Sequence, residues 1–528
     1  MHGSNPYDAI ILGGGLAGLT LALHLRGDHP DLSILVLERR RHPLPAAAHK
    51  VGESTVEIGA HYFADTLGLR EHLERDHIRK FGFRFFFSDG RDDLENVTEL
   101  GVSKVLPTPS YQLDRGIFEN FLTDEARRRD IEVRDGVTVC GLDMGQGGAL
   151  HTVKCRDEAG EQTLQARWVL DASGRAGLLR RRYKLTRDNG HHGNAVWFRL
   201  GERIEIDGWC QDADWHDRCT PSSERWRSTN HLVGPGYWAW LIPLSSGAHS
   251  VGIVADAGMH PLESMRDFDR TLEWLAARQP ALARAVHERR QELLDFSFLR
   301  EYSHGCAQMF SADRWALTGE AGAFLDPFYS PGSDFIAIAN TYICALVGHD
   351  LAGRGLAPHA ALYEQLFQSF LANSLPLFRH QYPLFGDAEV LPMKVTWDYT
   401  YYWGVLCPLV FQRRLTDLVL LGRVRGDLER AQALNLRMQE LFVNWHAASA
   451  NRNPPGMLDQ YTLDWFAELN GSLHQPLDDD AMASRLRGNT DLLEALADAL
   501  VLRATARDPA LKAPLSGRRQ PPLFATAA

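Results

Sequence analysis

The chain of 528 residues is long enough for two or three folding units, each with its own core, which excludes a disulfide-stapled miniprotein. Its 56 Lys plus Arg stand against 67 Asp plus Glu, a formal net charge of -11, so no global basic surface draws it to nucleic acid or anionic lipid. Hydrophobic content of 45% is a globular average, no apolar run approaches the roughly 18 residues of a membrane span, and the seven cysteines show no CxxC spacing. The expectation is a soluble, cytoplasmic protein with reduced thiols and no metal, and no secretory signal is read in Met1–Pro6.

Residues 7–12 form a short apolar run of buried-strand type, followed by Gly13-Gly14-Gly15-Leu16-Ala17-Gly18 and an apolar stretch at helical spacing. Gly13 permits the tight turn, Gly15 lets backbone approach a pyrophosphate, and Gly18 lets helix and strand pack closely. The N–H groups of Leu16 and Ala17, with the positive end of the helix dipole, then face the phosphates. A second strand, 33–37, ends in Glu38, twenty residues after Gly18, where a carboxylate holds a ribose hydroxyl pair; Arg39 beside it is placed to meet the adenosine half. This is a dinucleotide-binding unit, and no second one follows. The turn alone does not separate NAD from FAD.

Further along the chain come Val51-Gly52-Glu53-Ser54, then Lys80 in the aromatic run Lys80-Phe81-Gly82-Phe83-Arg84-Phe85-Phe86-Phe87. A lysine so flanked is expected to be partly desolvated, which lowers its pKa and raises its nucleophilic fraction. Next are Tyr111-Gln112-Leu113-Asp114-Arg115 and Asp171-Ala172-Ser173-Gly174-Arg175. His191-His192 lacks a carboxylate at ligand spacing and is read as a polar loop, not a metal site. Trp238-Ala239-Trp240-Leu241-Ile242-Pro243 puts two indoles on one face of a strand, walling off an apolar volume. Then follow Thr318-Gly319-Glu320-Ala321-Gly322 and Asp326-Pro327-Phe328-Tyr329-Ser330-Pro331-Gly332-Ser333. Beyond residue 355 the apolar spacing becomes helical, and residues 506–528, rich in Pro, Arg and Ala, read as a flexible tail.

In this order the segments resemble the flavin-dependent halogenase branch of the FAD-dependent monooxygenase superfamily, over roughly residues 7–400. The resemblance implies an α/β fold: a Rossmann-type FAD-binding domain with a doubly wound sheet, expected at 1–185 and 300–350. It is interleaved with an antiparallel β-sheet substrate domain at 186–299 and followed by a helical cap at 351–505. It further implies FAD, supplied as FADH2 by a separate NAD(P)H:flavin reductase, reacting with oxygen to a C4a-hydroperoxide that oxidises chloride or bromide. The product is a halogenated electron-rich aromatic of phenol, pyrrole or indole type, free or tethered to a carrier protein, in secondary metabolism.

By the same resemblance Lys80 is the catalytic lysine that delivers the halogen. Gly13, Gly15, Leu16, Ala17, Gly18, Glu38, Arg39, Gly52, Ser54, Arg115, Asp171, Gly319, Glu320, Pro327, Gly332 and Ser333 bind the cofactor. Trp238, Trp240, Phe85 and Ser330 line the substrate pocket. Two departures stand out. Glu320 replaces the usual aspartate, and Pro331 falls where the family presents an anion-facing N–H, so proline removes one donor and weakens halide binding on the order of ten- to hundredfold. That departure keeps open a flavin hydroxylase working without halide, and a double-bond reductase of the same fold is a third reading. The oligomeric state stays open.

Overall fold

The computed structural model describes residues 5–46 and 50–524. The start of the stretch inspected for a signal and the last four residues of the expected tail lie outside them. The chain forms two compact units, one of residues 1–76, 113–189 and 303–372, the other of 77–112, 190–302 and 373–528.

In the first unit the strand Tyr7–Leu12 lies at the centre of a parallel array, paired on one side with Gly160–Asp171 and on the other with Ile34–Leu37, which pairs with Glu132–Arg134. Trp315–Leu317 continues the array beyond Gly160–Asp171. Residues Ala9–Leu12 and Ile34–Leu37 are buried on both faces, which is why these strands read as unbroken apolar runs. The helix Leu16–Asp28 packs against the helices Arg115–Arg128 and Gly332–Leu351. This is the Rossmann-like α/β fold the glycine turn predicts.

In the second unit an eight-stranded sheet runs Leu293–Leu299, Gly193–Leu200, His249–Asp256, Tyr237–Pro243, Thr229–Gly234, Phe83–Phe86, Thr98–Gly101, Gly456–Asp459. Pairing is antiparallel except at Phe83–Phe86 with Thr229–Gly234 and at Gly456–Asp459 with Thr98–Gly101. One face buries a core of Val196, Phe198, Leu232, Tyr237, Leu241 and Ile253, closed by the helices Phe268–Arg278 and Pro280–Glu288. Two long helices, Leu418–Ala448 and Asp479–Arg507, and the shorter Leu391–Tyr401 belong to the same unit.

The units divide the chain differently from the expected boundaries. Residues 77–112 pair into the antiparallel sheet through Phe83–Phe86 and Thr98–Gly101, not into the Rossmann unit, and the sheet takes its last strand from residues 456–459. The helical region expected as a separate cap splits, residues 351–372 falling in the first unit and the rest in the second. Of the expected tail, residues through 524 are tied down: Ser516 and Gly517 bond to Asp498, Trp465 Nε1 donates to the Pro522 carbonyl, and Phe524 is buried. No helix among the described residues is long and apolar enough to cross a membrane.

Candidate functional site

The glycine turn of the first unit is a cradle in which side chains do not fit. A Cβ added to Gly18 would lie 1.9 Å from the Gly13 carbonyl oxygen. Glu38 Oε2 accepts from the Gly14 N–H at 2.7 Å and Oε1 from the Arg40 N–H at 2.8 Å, so its carboxylate is fixed at the turn. Arg39 is exposed beside it. A turn of this shape before an open helix N-terminus, with an acid at the neighbouring strand end, fits the adenosine diphosphate half of a dinucleotide.

Around the turn the unit gathers charge, of which the sequence singled out Arg115 but not Lys50 or Glu119. Glu119, fully buried, takes Lys50 and Arg115 together, and Lys50 Nζ lies 3.8 Å from where a Gly15 Cβ would stand. Burial alone would raise the Glu119 carboxyl, but Arg115 and then Lys50 hold it below its ordinary value. Arg115 Nη1 donates to the Val51 carbonyl at 2.7 Å and so clasps the Val51–Ser54 segment, which puts Gly52 against the guanidinium and leaves Ser54 buried. The Lys50–Glu119 ion pair and the Arg115 bond to the Val51 carbonyl join residues 69 and 64 apart in sequence, which no local pattern announces, whereas Arg115–Glu119 is an i,i+4 pair on one helix.

Asp171 has a different job from the one expected. Its carboxylate is buried and accepts from Ser173 N, Ser173 Oγ and Leu179 N at 2.6–3.0 Å, so it braces the loop 171–179 from inside and presents no oxygen to a ligand. Glu320 reaches Arg175 at 3.0 Å, a contact that the extra methylene over aspartate permits, and Gly319 opens a single tight turn that stacks against Ala17.

Pro331 is the residue just before the helix Gly332–Leu351, and its carbonyl accepts from Asp334 and Phe335. The expected loss of an anion donor is therefore recast: the first turn begins at Gly332 and Ser333, whose N–H groups precede the helix ladder. Ser333 Oγ is buried there without a hydrogen-bond partner among the described residues. Pro327 and Ser330 lie in the connection leading in, partly buried, with Ser330 in the left-handed region at φ 53°.

The second unit carries the aromatic residues. On the sheet face opposite its core, strand register lines up Phe85, His231 and Trp240 in one row, with Phe83 and Trp238 beside them. Trp238 and Trp240 are 5.6 Å apart between centroids. Each indole is anchored, Trp238 Nε1 donating to Tyr382 Oη and Trp240 Nε1 to Ser250 Oγ, both at 3.1 Å. Gly252 makes room: any Cβ there would be 2.2 Å from the Trp240 ring. Tyr399 of the helix Leu391–Tyr401 reaches Phe83, whereas Trp397 bonds to Asn435 and packs in the helical core.

Lys80 is buried, with Nζ 3.5 Å from the centroid of the Phe83 ring. Three backbone bonds fix its loop: Lys80 N–H to Ser110, Phe81 N–H to Arg227, and Thr229 N–H to Gly82. The structure thus groups Lys80, Phe85, Trp238 and Trp240, all singled out in the sequence, and adds His231, Tyr382 and Ser250, which carry no motif of their own. His231 is placed by pairing with the distant strand of Phe85 and Tyr382 by a side-chain contact 144 residues away in sequence, neither visible in any single window, whereas Ser250 sits on the neighbouring strand ten residues from Trp240.

The family model for tryptophan halogenases matches residues 93–368, and that for an NAD(P)-binding Rossmann-like domain matches residues 11–75. A flavin-dependent halogenase, chlA, of Dictyostelium discoideum is 27% identical over 490 residues, 87% of this chain and 79% of that protein. A chlorinase of 1H-pyrrole-2-carbonyl bound to a peptidyl-carrier protein, from Pseudomonas fluorescens, is 24% identical over 62% of this chain and 72% of its own. In fold, the halogenase PltM, solved with phloroglucinol and FAD, superposes with a TM-score of 0.63 at 16% identity, covering 93% of this chain and 96% of its own. The match over more than half of its length shows that this chain belongs to the tryptophan halogenase family, enzymes of the flavin-dependent oxidoreductase class.

Proposed function

We propose that the protein is an FADH2- and oxygen-dependent halogenase that oxidises chloride or bromide and halogenates an electron-rich aromatic of phenol, pyrrole or indole type. The observation that carries this reading is the buried Lys80 ammonium seated on an aromatic wall that contains both indoles of the Trp238–Trp240 pair. Bound reduced FAD supplies the two electrons that molecular oxygen needs to become an oxidant of halide. The glycine turn with the Leu16 and Ala17 N–H groups holds the diphosphate, and Glu38 the adenosine ribose. Lys50 and Arg115, both paired with Glu119, add positive potential at the same turn.

Gly332 and Ser333 give the halide two backbone donors and a hydroxyl at a helix N-terminus, where the dipole favours an anion. Lys80 binds hypohalous acid through its ammonium and holds it against the wall until an aromatic arrives. The locked indoles exclude bulk water, which would otherwise release the acid to react indiscriminately. A carrier-tethered substrate is favoured by the pyrrole-carrier chlorinase among the relatives, and with one dinucleotide turn in the chain the reduced flavin comes from a separate NAD(P)H:flavin reductase.

The test is turnover of a phenol probe by the purified protein supplied with FADH2 and air, with and without bromide, read by mass spectrometry. Brominated product that requires bromide supports the reading. Hydroxylated product formed equally without halide overturns it and makes the protein a flavin hydroxylase.

A further inference from the structure

The chain carries a formal net charge of -11, yet residues 172–187 hold six Lys or Arg and no Asp or Glu. Arg181, Arg182, Lys184 and Arg187 are exposed, and none of the four forms an ion pair among the described residues. Elsewhere on this surface arginines sit against acids, as Arg70, Arg91, Arg156 and Arg300 do. The segment begins at the glycine turn. The strand Gly160–Asp171 that feeds it runs parallel beside Tyr7–Leu12, so both end at one edge of the sheet, and a Gly13 Cβ would stand 2.4 Å from the Ala172 carbonyl oxygen. Arg181 Nη2 donates to the Arg175 carbonyl at 3.3 Å, and Arg175 reaches Glu320 at 3.0 Å, which holds the helix Leu178–Arg182 to that edge. On the other flank the strand Ile34–Leu37 is followed by Arg39, Arg40 and Arg41, all exposed. Of the acids near the edge, Glu38 is taken by the Gly14 and Arg40 N–H groups, Glu158 by Arg41 and Glu320 by Arg175. The cradle thus opens between two arginine-rich loops, and the longer one keeps its charge uncompensated.

We propose that the basic segment 175–187 is an electrostatic guide for the flavin dinucleotide: its exposed cations draw the dianionic diphosphate to the glycine turn and speed its capture, without holding it once bound. This rests on the reading that FAD occupies the cradle and arrives from solution already reduced. Reduced flavin free in air is consumed by oxygen, so for a chain that must catch it the rate of capture counts for more than the affinity. A protein of net negative charge repels a dianion as a whole, and a local field of opposite sign is what reverses this on approach. A field acts through distance and asks of each side chain only its charge and its exposure. Its reach is set by salt, about 8 Å at physiological ionic strength and about 30 Å at 0.01 M.

The experiment follows FAD fluorescence in stopped flow as FAD binds the full chain stripped of flavin, at salt of about 0.01 M and about 1 M. It compares wild type with Arg181→Gln/Arg182→Gln, with Arg181→Glu/Arg182→Glu, and with Arg128→Gln/Arg354→Gln. The last pair removes the same charge beyond the far ends of the helices Arg115–Arg128 and Gly332–Leu351. At low salt the association rate falls about fivefold in the Arg181→Gln/Arg182→Gln variant and further in the Glu variant. The dissociation rate stays at the wild-type value, the rates converge at high salt, and Arg128→Gln/Arg354→Gln follows wild type. Equal association rates at low salt overturn the guide. So does a loss carried by faster dissociation, which means a contact with bound flavin, or an equal loss in Arg128→Gln/Arg354→Gln, which means net charge alone. A wild type that takes up no FAD overturns the cradle reading along with it. Binding needs no halide, so a failure to halogenate leaves this test standing.

Discussion

An alanine methyl at Gly18 would collide with the Gly13 carbonyl, a backbone atom that cannot swing away, so the turn must open. Gly18→Ala is expected to purify without flavin and to fail to take up added FAD, checked by the visible absorbance of the desalted protein. At the other end of the unit, Ser333→Ala removes one hydroxyl donor from the proposed halide site; a hydrogen bond to an anion is worth about 1.5–3 kcal/mol, so the halide KM is expected to rise at least tenfold with FAD affinity unchanged. Gly18 was legible because its constraint is local, a strand, a turn and a helix within twenty residues. Asp171 was misread for the opposite reason. Its motif is local, but what decides its role is where its oxygens point, and both are used up by Ser173 and Leu179.

The strand Phe83–Phe86 shows what an element adds to its sequence. Alternation sends Phe83 and Phe85 to the aromatic wall and Arg84 and Phe86 to the other side. There Arg84 and Arg225 share Glu99, all three fully buried, with the Arg225 guanidinium 3.6 Å from the Trp215 ring centroid. The cluster ties the strands Phe83–Phe86 and Thr98–Gly101 to the excursion that precedes Thr229–Gly234. Glu99→Gln leaves two buried guanidinium groups facing a neutral amide and is expected to cost about 3–5 kcal/mol of stability, measured by denaturant unfolding.

The Trp238 and Trp240 pair could be read as one face of a strand from spacing alone. That Phe85 and His231 stand in the same row could not, because register with Thr229–Gly234 is set by pairing between segments more than a hundred residues apart. The same limit explains why residues 77–112 were assigned to the Rossmann unit: nothing in a four-residue aromatic strand tells which sheet it joins.

At the scale of the whole chain, stability is expected to fall on the acid side for an identifiable reason. His249 is buried and its pKa is lowered to about 3 by burial, with Arg203 and Arg289 adding to the effect. Its Nδ1 accepts from the Ile204 N–H, a bond that requires the neutral ring. Between its ordinary value near 6.5 and 3, the unfolded chain binds a proton that the folded one refuses. Unfolding is therefore favoured as pH drops through that window, by up to about 1.4 kcal/mol per pH unit from this group. Thermal melts from pH 7 to pH 4 in wild type and His249→Gln check this; the variant's melting temperature declines less steeply.

The dinucleotide unit followed from an apolar strand, a glycine turn and a helix, and the helical end from apolar spacing; the overall α/β class followed from the resemblance, and the division into units from strand pairing that periodicity does not encode. The account stands most directly on Lys80, and the deciding measurement is resorcinol bromination by wild type and Lys80→Met, each loaded with FAD and given reductant, air and bromide. The prediction is bromoresorcinol from wild type and none from Lys80→Met at equal flavin content, while Lys394→Met, a change at a lysine equally buried but paired with Asp398 in the helical core, keeps producing it. Bromoresorcinol formed by Lys80→Met at the wild-type rate would contradict the account.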